Sequence, residues 1–124
     1  MRRPHDQRGL SESVQWAVMW PLLMLLTLGI IQAGIYLHGR NVAQRAATAA
    51  VDSARGSFGT EAEARDRATD LARAGGLQDV SIRVSQGASE VSADVSARPV
   101  SILDIGIFRV HETASAPRER VTQP

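Results

Sequence analysis

From Trp16 to Leu37 the chain runs for 22 residues in which Thr27 and Gln32 are the strongly polar side chains. A helix of that length rises about 33 Å, enough to cross the hydrocarbon core of a bilayer. A secretory signal has a shorter apolar core, roughly 7–15 residues, followed by a small-residue cleavage motif. Here the run passes instead into Gly39-Arg40-Asn41 and further helix-favouring sequence. The stretch therefore predicts a retained transmembrane helix, with Trp16 and Trp20 anchoring it at the membrane interface. Pro21 reads either as a kink or as a residue tolerated early in a membrane helix. Gln32 either bonds across helices or reaches water near the far membrane edge.

Once the span is set aside, the remaining length suffices for one small domain. The expected layout is a cytoplasmic tail over 1–15, the span over 16–37, an extracytoplasmic α+β domain over 38–116 and a flexible tail over 117–124. Arginine is balanced about the span, with Arg2, Arg3 and Arg8 before it and Arg40, Arg45 and Arg55 soon after. A cytoplasmic N-terminus is expected because a long C-terminal portion translocates largely regardless of its charge.

All 14 basic residues are arginine, and residues 40–124 hold 11 arginines against 11 acidic groups. That even mixture carries no footprint for nucleic acid. The lack of cysteine excludes disulfide staples and thiolate metal sites. His5, His38 and His111 are scattered without metal-ligand spacing, and no serine has a nucleophile-elbow context. No catalytic, cofactor or metal site is expected, nor a small-molecule substrate; the residues point to a protein that is not an enzyme.

Beyond the span no helix breaker occurs before Gly56. Ala43, Ala46, Ala47, Ala50 and Ala54 recur at the spacing of one helical face, beside Val51. Such a seam of small side chains admits close approach of another element. It packs on the chain's own domain, on a partner helix, or on each with different parts of one long helix.

Thr60 and Glu63 have capping-box spacing and open a second helix that Gly75-Gly76 would stop, with Ala64, Ala68, Leu71 and Ala72 as its apolar face. The period then changes from 3.6 to 2. Val80, Ile82 and Val84 predict one half-buried strand, and Val91, Ala93, Val95 and Ala97 a second that ends at Pro99. A third strand is expected around Ile107 to Ala116, although Glu112 falls on the apolar phase of Phe108, Val110 and Ala114. The fold class is α+β: a long N-terminal helix, a short second helix and a small antiparallel sheet of about three strands.

The short basic tail, Arg8-Gly9, the polar stub, Val14-Gln15-Trp16-Ala17-Val18-Met19-Trp20-Pro21 and the leucine-rich helix closing on Gly-Ile-Ile-Gln-Ala-Gly resemble the N-terminal region of TadE-like proteins. Asn41-Val42-Ala43-Gln44-Arg45-Ala46-Ala47 and the alanine-rich continuation are similar to that family too. These are pilin-related components of bacterial tight-adherence (Tad) pilus systems. The resemblance implies a minor pilin, pseudopilin or membrane assembly component of a type IVc pilus. It implies a cytoplasmic-membrane location with the N-terminus inside, a pilin-like C-terminal domain outside and a route into a cell-surface pilus. Its implied partners are the membrane, other pilin-like subunits, Tad assembly proteins and a prepilin peptidase that cleaves between Gly9 and Leu10. The family pattern places a glutamate six positions before the proline, where this chain has Gln15. The competing expectation is an uncleaved single-pass scaffold or sensor subunit.

Overall fold

The computed structural model describes residues 7–56, 58–102 and 108–118, with side chains from residue 9 onward. Two helices and three strands follow in the order α1 (Gln7–Arg55), α2 (Glu61–Ala74), β1 (Leu77–Gln86), β2 (Glu90–Pro99) and β3 (Val110–Pro117). The architecture is α+β, with a long apolar N-terminal helix, a shorter second helix and a three-stranded antiparallel sheet. Two compact units divide the chain, one ending at Ala33 and the other spanning Gly34–Pro124.

The first unit holds the N-terminal part of α1, which continues through Pro21. Proline has no N–H, so one helical hydrogen bond is missing there. Thr27 returns its hydroxyl to the Leu23 carbonyl at 2.8 Å, which satisfies a polar group inside an apolar stretch.

In the second unit the sheet has the meander order β1-β2-β3, every neighbour antiparallel. Alternation along β2 turns Val91, Ala93, Val95, Ala97 and Pro99 inward. On β1, Ile82 and Val84 are buried as the period-2 pattern requires, but so is Leu77, which has the opposite parity. A bulge reconciles them: between the pairs Gln78↔Arg98 and Ser81↔Ser96, Asp79 and Val80 together oppose Ala97. Asp79 takes φ of 49° there, in the left-handed region that Asp tolerates better than most residues. Its carboxylate pairs with the Arg98 guanidinium.

Helix α2 starts as its capping box requires. Thr60 Oγ1 accepts from the Glu63 N–H at 3.2 Å, and the backbone N–H groups of Gly75 and Gly76 close the last turn onto Leu71 and Arg73. Its buried residues are Ala64, Ala68 and Ala72. Leu71, expected on that face, is exposed; the alanines alone fill the close contact, and a longer side chain one position off the line is left outside.

Strand β3 begins at Val110, later than the expected Ile107, which lies with residues 103–106 outside the described residues. Pro117 is part of β3, not of a frayed tail, and the Arg118 N–H donates to the Ser89 carbonyl at 3.0 Å. Residues 119–124 of that expected tail are likewise outside the described residues.

Candidate functional site

Two surfaces carry the chemistry. Along the N-terminal part of α1, Leu10, Val14, Trp16, Val18, Trp20, Leu22, Leu23, Met24, Leu25 and Leu26 are all exposed, as are Ile30 and Ile31. So long a run of exposed apolar side chains is disfavoured in water and suited to lipid or to apolar helices of other subunits. The helix is long and apolar enough to cross a membrane, with a mean hydropathy of 1.9 over its most apolar window. Trp16 and Trp20 lie on this surface, and Gln15 is exposed beside them. Gln32 is buried at 8% exposure.

Gly9 and Leu10, the expected processing position, lie in the first turns of α1 and are exposed. The Ser13 hydroxyl donates to the Gly9 carbonyl at 2.8 Å. A Cβ at Gly9 would meet nothing within 4 Å.

The second surface is the alanine seam. Ala43, Ala46, Ala47, Ala50 and Ala54 are all at 0% exposure and belong to the core formed with α2 and the sheet. Of the readings left open by the sequence, the seam follows the first, since it packs on the chain's own domain. Alanine allows the approach, and glycine completes it at two points. A Cβ on Gly39 would stand 2.9 Å from Pro99 Cβ, and one on Gly75 would stand 2.3 Å from Val42 Cγ1.

Polar contacts fix both ends of this packed stretch. Near its start, His38 Nε2 lies 3.3 Å from the Gly75 carbonyl oxygen, and Arg40 Nε donates to Glu112 Oε1 at 2.9 Å. The hydrogen bond to Glu112, and then its charge, hold the Arg40 guanidinium above its ordinary pKa. At the other end Gln86 Nε2 donates to the carbonyls of Ala54 at 2.8 Å and Gly59 at 3.1 Å. It thereby satisfies one of the carbonyls that a helix C-terminus leaves open. Sequence reasoning passed over Gln86 and Arg40, because each acts on a residue far away in the chain.

The opposite face of the sheet is polar. Ser81, Arg83, Asp94, Ser96, Arg109 and His111 line an open depression there. Thr113 Oγ1 donates to Asp94 Oδ1 at 2.6 Å, and Arg109 to Ser96 Oγ at 3.2 Å. These contacts knit neighbouring strands. Among the described residues no group of three or more His, Cys, Asp and Glu side chains is arranged to hold a metal ion.

Comparison with known proteins bears on the first surface and the seam together. Residues 11–52 match the family model described as TadE-like protein, about a third of the chain. The match ends inside α1, so α2 and the sheet lie beyond it, as does the Gly9-Leu10 pair. Neither the curated proteins nor the solved structures return a match. The chain therefore carries a TadE-like segment over residues 11–52, which takes in the exposed apolar side chains from Val14 onward and the seam as far as Ala50.

Proposed function

We propose that this protein is a minor pilin or membrane assembly component of a Tad-type pilus system, and that it acts by helix packing without catalysis. The observation that carries this reading is the TadE-like match over residues 11–52, a segment whose first half is an exposed apolar helix. The alanine seam is used within the chain, so partner subunits dock on the apolar side chains of the N-terminal unit. Trp16 and Trp20 sit at the interface, the N-terminus is cytoplasmic, and the domain that follows Leu37 is outside. A prepilin peptidase acts between Gly9 and Leu10.

A second reading, an uncleaved scaffold or sensor subunit, draws on Gln15, which occupies the position of the family glutamate and carries no charge. Intact mass of the membrane-extracted protein distinguishes the two. Loss of residues 1–9 together with co-purification of pilus subunits supports the pilin reading; a full-length chain that recovers no pilus subunit overturns it.

A further inference from the structure

The connection leaving β2 starts at a defined place. Pro99, the last residue of β2, packs against Gly39 of α1, where a Cβ would lie 2.9 Å from Pro99 Cβ and 3.5 Å from Leu77 Cδ2. Gly39 is two residues past Leu37, the end of the apolar run, a rise of about 3 Å along a helix. Val100 follows Pro99 directly, so consecutive-residue spacing keeps it within about 4 Å of Pro99 along the backbone. Val100 and Ile102 are 53% and 59% exposed. Two exposed apolar side chains thus follow directly on the residue that packs beside the end of the span.

We propose that Val100 and Ile102 form a second membrane contact, inserting into the headgroup and acyl boundary of the bilayer that takes the span. Exposed apolar residues scattered singly need no explanation. These two differ by their position, because they follow Pro99, which packs on Gly39 two residues past the end of the apolar run at Leu37. Burial in the interfacial zone removes them from water without cost to the domain core, since neither belongs to it.

The opposite end of the same unit supplies an internal control. Gln86 binds the carbonyls of Ala54 and Gly59, so the β1–β2 turn and the α1–α2 loop lie at that end. Phe58 in this loop is 96% exposed. From Gly39 to Ala54 the helix rises roughly 22 Å. Phe58 is therefore as apolar and more exposed than Ile102, but distant from the end of the span.

The inference rests on the reading of α1 as a membrane span, and the test separates the two. The chain has no cysteine, so Met24→Cys, Ile102→Cys and Phe58→Cys each give one attachment point for an NBD fluorophore in the full-length protein. The labelled proteins are reconstituted into phosphatidylcholine and phosphatidylglycerol vesicles holding nitroxide lipids of shallow or deep position. The expected result is deep quenching at Met24, a blue-shifted emission with shallow quenching at Ile102, and neither at Phe58. Quenching at Met24 with an Ile102 signal equal to that of Phe58 overturns the inference and leaves the span standing. Failure to quench at Met24 overturns both. Ile102 lies outside the core, so its replacement leaves folding intact; matching far-ultraviolet circular dichroism spectra of the three proteins verify this.

Discussion

Arg40 and Glu112, separated by 72 positions, meet at 2.9 Å, and the carboxylate side chain keeps only 16% of its exposure while the guanidinium keeps 51%. Glu112 points to the inner face of β3, on the phase of Val110 and Ala114, because strand alternation leaves it no other direction. Arg40 supplies the charge that makes this position tolerable. Replacing Arg40 by Met should lower the thermal midpoint of the domain, because it strands a carboxylate at the edge of an apolar core. The pair Arg40→Met with Glu112→Val should recover much of the loss. Melts of the four proteins in detergent check this; an equal loss in the single and double variants would contradict it. Because Glu112 raises the guanidinium pKa above its unfolded value, the contribution of the Arg40 charge is lost only as pH rises through the higher folded value. Stability from this contact should therefore be insensitive to alkaline pH within any working range.

Gly75 has φ of −80°, which any residue adopts, so its importance is steric. Gly75→Ala drives a methyl into Val42 and should cost about 1–3 kcal/mol by overpacking. Val42→Ala in the same chain should return part of it, and a double-mutant cycle should show a coupling of about 0.5–3 kcal/mol. Additive effects would mean that α1 and the end of α2 do not press on each other.

Gln86→Leu removes both donors from the Ala54 and Gly59 carbonyls. Each group left without a partner in this half-buried setting costs about 1–3 kcal/mol. Hydrogen exchange should speed up in the last turn of α1 before it does in the middle of the sheet.

Ala47→Leu inserts three carbons where the exposure is 0%. It should destabilise the domain by about 1–3 kcal/mol and reduce assembly only through folding. A variant with unchanged melting but lost co-purification of pilus subunits would return the seam to a partner-binding role.

If cleavage follows Gly9, the new α-amino group, with a reference pKa of about 7.7–8.0, is largely cationic at neutral pH. Gln15 can accept a hydrogen bond from it but cannot neutralise it. The protein should therefore be found in purified pili far below the level of the repeating subunit, and Gln15→Glu should be dispensable for function. Quantitative mass spectrometry of sheared pili decides; recovery as the dominant subunit would refute the minor role.

Elements whose causes are local were legible in the sequence. The apolar run, the Thr60 to Glu63 capping box, the Gly75-Gly76 stop and the alternation of β2 each depend on neighbours within a turn or a strand, so periodicity and caps sufficed to place them. The two-sided reading of the alanine seam shows where such reasoning stops. A face of small side chains states that something approaches closely, and only tertiary packing decided that α2 and the sheet do so. The same holds for the bulge at Asp79 and Val80, which restores Leu77 to the buried face by opposing two residues to one. It holds too for Glu112 on the inner phase of β3, an acid that breaks the apolar alternation and is tolerated there because Arg40 lies across from it. In each case the deciding contact joins residues distant in the chain, and periodicity carries no information about which distant side chain will supply the missing volume, backbone partner or charge.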